Sequence, residues 1–414
     1  MPTSPVQSLA LPSPPAANGG IPRYRPFSGP ALFREGFRPF FLAAGLWAPA
    51  AMALWVGYLA GWFDLPTAFG TLNWHIHEML FGFAAAAVAG FLLTAIPNWT
   101  GRMPLQGVPL VVLASLWLAG RIAGALSLWT GPAAAAIADL AFLAVLLLAI
   151  GREIVAGHNW RNLPMVGALS LLLAANFLFH LEALDIASTA DFGRRLGVAM
   201  LLLMISLIGG RIIPSFTRNW LAKQDAAELP AAFGVVDRFA LASTALSLVC
   251  WVFAAPPMFT GPLLIAAGIA VAVRLARWRG LATAKEPLLL ALHLGHGWLA
   301  VGLVLLGASE LTDLVPASAA LHALTAGAIG TMILAVMTRA TLGHTGHALT
   351  AGAGTTAIYV LVTIAALARL AVWWLPAQYD LLLQFAGLAW IAAFLLFLAI
   401  YGPMLLRPRR GKTG

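Results

Sequence analysis

The stretch WHIHEMLFGFAAAAVAGFLLTAI, residues 74–96, decides the class of fold. It carries no charge from Leu80 to Ile96, and a helix needs about 20 apolar residues to cross a membrane. Just before this apolar run stand His75, His77 and Glu78. Ionisable side chains are costly at membrane depth, so their presence there indicates function by default. The stretch therefore predicts a transmembrane helix with a polar site at its mouth.

The composition places the whole chain in a lipid bilayer. Of its 414 residues, 61% are hydrophobic and only 9% are charged, whereas a soluble domain has about 25% charged residues. The net charge of +9 comes from basic residues dispersed in short loops, which argues for membrane orientation and against a nucleic-acid partner. Cys250 is the single cysteine, so an internal disulfide or a thiolate-based zinc or iron–sulfur site is excluded.

Apolar segments recur along the chain and predict an all-α membrane protein with twelve transmembrane helices. We expect a disordered basic tail at residues 1–35, a transmembrane domain at 36–406 and a second basic tail at 407–414. The twelve predicted helices cover 39–61, 75–96, 105–128, 133–151, 164–181, 195–213, 233–254, 259–278, 287–308, 317–339, 353–374 and 381–405.

The distribution of Lys and Arg predicts the orientation. With twelve helices, nearly all of the 24 basic residues fall on the side that holds both termini. The opposite side receives only Arg121, Arg194, Arg195 and Arg369. The positive-inside rule then places both termini in the cytoplasm, so residues 75–77 lie towards the outer face.

A weak internal repeat is visible at the inner ends of the second, sixth and tenth predicted helices. These ends read IPNWTGR at 96–102, IPSFTR at 213–218 and VMTRAT at 336–341. The pattern suggests three copies of a four-helix unit, and chance similarity between helix ends explains it equally well. Repeats in membrane proteins often surround a central site.

Histidines define two candidate levels within the membrane. The depth of each residue follows from the helical rise of about 1.5 Å per residue. The outer level holds His75, His77, Glu78 and His322, with His180 at its edge. The inner level holds His293, His296 and His344. His158, His180 and His347 stand near loops, where a structural role is the more usual one.

Spacing decides which outer residues can cooperate. His75 and His77 are two apart, so on a regular helix they point in nearly opposite directions and cannot share one ion. We expect one of them to be a ligand together with His322 and the other to support the site. The greater depth of His77 makes it the preferred ligand. His75 and Glu78 are three residues apart, so the carboxylate is placed to orient the imidazole.

Imidazole-rich sites without thiolate suit haem iron, copper or zinc. Arg121 and Arg369 lie near the outer ends of their helices, where they can hold haem propionates. An alternative for Arg121 is an ion pair with Asp139, which has a similar estimated depth on the next helix.

At these residues the chain resembles the NnrS family of bacterial inner-membrane proteins. The resemblance is carried by GFRPFF (36–41), WHIHEMLFG (74–82), GFLLTAIPNWTG (90–101), GGRIIPSFTRNW (209–220), LHAL (321–324), GTM (330–332) and LGHTG (342–346). It implies twelve helices, b-type haem, copper and a role in tolerance of nitric oxide. His296 and His347 fall outside the family pattern, whereas His75, His77, Glu78, His293, His322 and His344 lie in or beside it.

Three functions compete on this basis. The first is a metalloprotein without enzymatic turnover, which protects against nitric oxide or another small diatomic ligand by binding it at a membrane-embedded cofactor. The second is a nitric oxide or quinol oxidoreductase of the haem–copper type, for which the sequence offers few acids as a proton path. The third is a secondary transporter of metal or haem, which the shortage of paired midplane acids disfavours.

Overall fold

A computed structural model describes residues 27–410. The described residues form helices and no strands, and twelve helices are long and apolar enough to span a membrane. They are α1 (Phe37–Leu59), α2 (Thr71–Thr100), α3 (Val108–Ala125), α4 (Pro132–Ala156), α5 (Trp160–Ala183), α6 (Ala190–Ala222), α7 (Val235–Val252), α8 (Pro257–Ala276), α9 (Pro287–Leu311), α10 (Ala317–Thr345), α11 (Ala353–Trp374) and α12 (Pro376–Leu406). The predicted fold class and the twelve spans are confirmed.

Local sequence sets where several helices begin and end. Proline stands in the first turn of α3, α4, α8 and α9, where its missing N–H costs nothing because those donors have no partner within the helix. The side of the helix bundle on which α1 begins and α12 ends is called the inner side, and the opposite side the outer side. At the inner ends of α2 and α10, Gly101 and Gly346 adopt left-handed backbone angles with φ of 71° and 80°. Only glycine takes this conformation without a steric penalty, so both helices stop there.

Most helix ends differ from the predicted ones, by up to nine residues at the end of α6, which lies at Ala222 and not at 213. The start of α2 is the difference that bears on the site. α2 begins at Thr71, four residues before the predicted start. The prediction missed residues 71–73 because polar Thr71 and Asn73 lower the hydropathy there. His75 and His77 therefore lie one turn inside the helix, not in its first turn. Residues 1–26 of the predicted basic tail and 411–414 of the second tail lie outside the described residues.

Most of the helices form a ring, and α2, α6 and α10 stand inside it. Consecutive helices pack side by side along most of the chain, and α12 closes the ring against α1. Within the most apolar part of each helix, 72% of α2 and 67% of α6, α9 and α10 is buried, against 50% or less in the other eight. Side chains of α2, α6 and α10 line two cavities between the helices.

The three central helices share an irregularity. Each contains a π-helical segment, at Glu78–Ala84 in α2, Ile205–Gly209 in α6 and Ala323–Gly330 in α10. Such segments are rare and occur frequently at functional sites. They fall in the three helices that the repeat hypothesis treats as equivalent, and the three-copy repeat itself stays a prediction.

Arg38 ties the two ends of the domain together. Its side chain is fully buried near the start of α1 and donates hydrogen bonds to the carbonyl oxygens of Met404, Leu405 and Arg407, at 3.0, 3.1 and 2.8 Å. Its Nε also donates to Glu35 at 2.7 Å. One buried cation thus satisfies carbonyl groups that the last turn of α12 leaves without an intrahelical partner.

Candidate functional site

A cavity of about 450 Å³ lies in the outer half of the ring. Helices α1, α2, α6, α10, α11 and α12 contribute most of its wall. The lining is mainly apolar and aromatic, with a few polar side chains: His75, Arg194, Arg195, Glu310, Ser318, His322, Thr325, Arg369 and Tyr379. Its size and its mixture of apolar wall with few polar groups are typical of a site for a small organic molecule.

Two imidazoles face this cavity from different helices. His75 on α2 stacks on Trp55 of α1, with ring centroids 4.6 Å apart and planes at 16°. Its Nδ1 is buried and has no hydrogen-bond partner among the described residues. His322 on α10 places Nδ1 2.7 Å from the carbonyl oxygen of Ser318. Because a carbonyl only accepts, Nδ1 of His322 carries the proton and its Nε2 keeps a lone pair for a metal.

Arg369 brings a positive charge to the same cavity. One of its guanidinium nitrogens is buried without a hydrogen-bond partner among the described residues. Arg194 and Arg195 also line the cavity, but both pair with Asp191. A buried guanidinium without a carboxylate partner is costly, so Arg369 is the group best placed to receive an anionic ligand.

His77 lies in a separate cluster behind α2. Its Nε2 is 2.7 Å from Oδ1 of Asn176 and 3.0 Å from Oδ2 of Asp139, and its Nδ1 is 3.1 Å from Oε1 of Glu78. His180 reaches the same Asp139 oxygen through Nε2 at 2.9 Å. His77, Glu78, Asp139, Asn176 and His180 are all almost completely buried.

Arg121 bridges the two carboxylates of this cluster. Its Nη1 donates to Glu78 at 2.6 Å, and its Nη2 pairs with Asp139. Trp47 donates from Nε1 to the same Glu78 oxygen at 2.7 Å. Two carboxylates and one guanidinium give the cluster a net charge of −1 when both imidazoles are neutral. A low-dielectric interior disfavours this unbalanced charge, so the cluster is suited to bind one more cation.

One group in the cluster has the arrangement of a metal site. Ligand atoms of His77, Asp139 and His180 lie within 4.8 Å of one another, and all three residues are buried. Glu78 accepts from the far nitrogen of His77, the contact that usually orients an imidazole ligand. The carboxylate expected beside His75 therefore serves His77 instead.

The inner histidines do not converge on one site. His293 contacts Thr217 of α6 through Nε2 at 2.9 Å. His296 is fully buried with its ring 4.8 Å from Trp278, and neither of its nitrogens has a hydrogen-bond partner among the described residues.

His344 stands elsewhere on the inner side, with its ring 5.3 Å from that of Phe37. His347, beyond the end of α10, contacts the Thr345 hydroxyl through Nδ1 at 2.8 Å. Partial burial and the nearby Arg410 guanidinium lower the pKa of His347 below its usual value.

The structure sorts the predicted residues into two outer sites. His75, His322 and Arg369 share the cavity, whereas His77 and Glu78 belong to the buried cluster. The depth argument had favoured His77 as partner of His322, but His75 is the residue that lines the cavity with it. Arg121 takes the alternative that the sequence left open, an ion pair with Asp139.

Sequence reasoning missed Asn176 and gave His180 little weight. These two residues are four apart on α5, so they share one face of that helix. A polar pair at this spacing, inside an apolar segment and near the depth of Asp139, is the signal that was available.

A protein family matches the chain over most of its length. None of the curated proteins matches the chain by sequence. The sequence model of one family, described as NnrS protein, matches residues 31–409. This range covers all twelve helices and both outer sites, and so the chain belongs to the NnrS family.

Proposed function

We propose that this protein binds b-type haem in the outer cavity and uses it to bind nitric oxide or another small diatomic molecule. The observation that carries the proposal is the presence of His75, His322 and Arg369 around one largely apolar cavity of about 450 Å³. Haem combines an apolar ring, an iron that takes imidazole ligands and two carboxylates. Each of these parts has a counterpart in the cavity wall.

The residues present fit the group. Nε2 of His322 is free to donate to iron because Nδ1 is held by the Ser318 carbonyl, and such a backbone contact fixes both the tautomer and the ring orientation. Nδ1 of His75 and one nitrogen of Arg369 are buried without partners among the described residues. A haem would supply partners for these groups, since its iron takes one imidazole, from His322 or His75, and its propionates accept from guanidinium.

The haem would supply an iron that binds small diatomic ligands. The chain would hold the haem by an imidazole, neutralise a propionate with Arg369 and exclude water through its aromatic and aliphatic wall. Nitric oxide is small and uncharged, so it reaches a membrane-embedded site through the lipid.

An optical spectrum of the purified protein tests the proposal. Protein from haem-replete cells should show a Soret band, and addition of nitric oxide should shift it. His322→Ala and His75→Ala should each remove or displace the band, whereas His347→Ala, outside the cavity, should not. A spectrum without haem, or one unchanged in both cavity variants, would refute this assignment. A haem spectrum that does not change when nitric oxide is added would favour electron transfer instead.

We propose a copper ion as second cofactor, at His77, Asp139 and His180. Two imidazoles and one carboxylate form a donor set for first-row transition metals, including copper, zinc and iron. The net charge of −1 on the cluster supports a bound cation. A proton on His77, held between Glu78 and Asp139, is the competing way to balance that charge.

Metal analysis separates these possibilities. We expect about one copper per chain, lost in His180→Ala and retained in His158→Ala, a variant of a histidine in an inner loop. The Soret band should persist in His180→Ala because the two sites use different histidines. Zinc or iron in place of copper would correct the identity of the metal, and a metal-free cluster would favour the proton.

We also propose that the protein resides in the bacterial inner membrane with both termini in the cytoplasm. The asymmetry of Lys and Arg supports this orientation. A fluorescent reporter that folds only in the cytoplasm should be active when fused after Gly414, and a periplasm-specific phosphatase fused there should be inactive. The reverse result would invert the topology and place residues 75–77 towards the cytoplasm.

An oxidoreductase is the second candidate function. His75 and His77 are two residues apart on α2 but serve different sites, so two redox centres would lie close together along one helix. The buried acids Glu78 and Asp139 add groups that can carry protons. Steady consumption of nitric oxide by the protein with a reduced quinol would favour this function, and binding without consumption would favour the first.

A further inference from the structure

A second cavity, of about 80 Å³, lies in the inner half of the ring. It is bordered by α1, α2, α6 and α10 and is partly open. Its lining consists of apolar side chains and one glycine: Phe41, Ala87, Val88, Phe91, Leu201, Met204, Ile205, Ile208, Gly209, Ile212, Ile329, Met332, Ile333, Val336 and Met337. No charged or hydrogen-bonding side chain contributes to this wall.

The apolar lining determines which molecules can occupy the inner cavity. A buried water needs two to four polar partners, and this lining offers none from its side chains. Cavities lined by aliphatic and aromatic side chains stay dry and bind apolar molecules such as xenon or benzene. The volume is a few times the ~30 Å³ that one water occupies in the liquid. The cavity therefore suits a small, uncharged and apolar molecule.

The inner cavity adjoins the outer one. Ile329, in the π-helical segment of α10, lines both cavities. The π-helical segment of α6 also borders the inner cavity, through Ile205, Ile208 and Gly209. Ile329 is thus the side chain that the two walls have in common.

Access to the inner cavity is also apolar. Val88, Phe91, Ile208 and Ile333 in its wall are half-buried, so the cavity is not fully enclosed by its own side chains. All of them belong to the interior of membrane-spanning helices. These side chains are apolar, so they present no polar barrier to a solute that dissolves in hydrocarbon.

We propose that the inner cavity is a binding site for a small apolar gas molecule, which passes Ile329 to reach the outer cavity. The transfer step rests on the proposed function, since it assumes a haem in the outer cavity that binds the gas. The binding step does not depend on haem and is tested separately.

Xenon is the probe for the binding step. The full-length protein, crystallised from lipid and pressurised with xenon, should show xenon density in the inner cavity. Ala87→Leu extends a buried side chain into this space and should abolish that density. Ala134→Leu, on an exposed part of α4, should leave it unchanged. Absence of xenon in the unmodified protein, or a lipid chain in its place, would overturn the proposal.

Rapid mixing with nitric oxide tests the transfer step. Ile329→Phe should slow association with haem by about tenfold, the effect of ~1.4 kcal/mol added to a barrier, and Ile329→Ala should accelerate it. Ile269→Phe, at a side chain that is 55% exposed on α8, is the control. Equal association rates in all four proteins would overturn the route through Ile329. Protein without haem but with xenon in the cavity would refute the proposed function and leave the binding site standing.

Discussion

Replacing Arg121 by Met tests the energetics of the buried cluster. The guanidinium is only 1% exposed and contacts both Glu78 and Asp139, which are 0% and 1% exposed. The variant leaves two buried carboxylates with no guanidinium between them. Removing one partner of a buried ion pair typically costs about 3–5 kcal/mol, because the remaining charge stays buried and uncompensated. We expect a loss of stability in that range.

Arg102 provides a matched control. It pairs with Glu153 at 2.5 Å, and its side chain is 42% exposed. An exposed pair contributes only about 0–1 kcal/mol because water and salt screen it. Arg102→Met should therefore change stability by no more than that amount. The free energy of unfolding of both variants can be measured by titration with a denaturing detergent in mixed micelles.

A rescue variant separates charge from packing. Combining Arg121→Met with Glu78→Gln and Asp139→Asn removes both uncompensated charges while retaining side chains of similar volume. If the loss in Arg121→Met comes from charge, the triple variant should recover most of it. An Arg121→Met loss no greater than that of Arg102→Met, or a triple variant as unstable as the single one, would refute this reasoning.

Two further predictions concern single residues. Arg38→Ala should loosen the end of α12, because charged hydrogen bonds contribute about 1.5–3 kcal/mol each; amide hydrogen exchange at residues 404–407 should accelerate, and the exposed Arg409→Ala should not have this effect. Gly82→Ala should destabilise the protein by roughly 1–3 kcal/mol through overpacking. Its new Cβ would stand 2.5 Å from Nε1 of Trp47 and 2.6 Å from Oε2 of Glu78. Gly167→Ala, whose Cβ would meet nothing within 4 Å, should leave thermal stability unchanged or slightly higher, and equal melting temperatures for the two variants would contradict the argument.

The number and order of the helices could be predicted because hydropathy alone determines them. Each span is an apolar run of sufficient length, and proline or glycine marks several of the ends. The start of α2 was misplaced because Thr71 and Asn73 are polar although they are helical. Hydropathy measures the preference for lipid, whereas the helix boundary depends on backbone hydrogen bonds, which also form in the interfacial region.

The sequence predicted how deep in the membrane each candidate site residue lies, but not which direction its side chain faces within the ring. Position along a helix gave the shared level of His75, His77 and His322. The partner of each depends on the direction its helix face points within the ring, and that requires the packing of all twelve helices. Helical spacing did separate His75 from His77. It could not decide which of them faces His322, nor reveal that Asp139 and His180 lie behind α2.

The π-helical segment of α2 changes the direction in which the side chains of its inner half point, compared with an uninterrupted α-helix. A π turn accommodates an extra residue relative to an α-helix, and each residue of an α-helix turns the chain by about 100°. If Glu78–Ala84 became α-helical with no residue removed, the inner half of α2 would rotate by roughly that angle relative to the outer half. The side chains that now line the inner cavity, Ala87, Val88 and Phe91, would turn away from it while His75 kept its place. The insertion thus lets one helix present independently chosen faces to the outer and inner cavities.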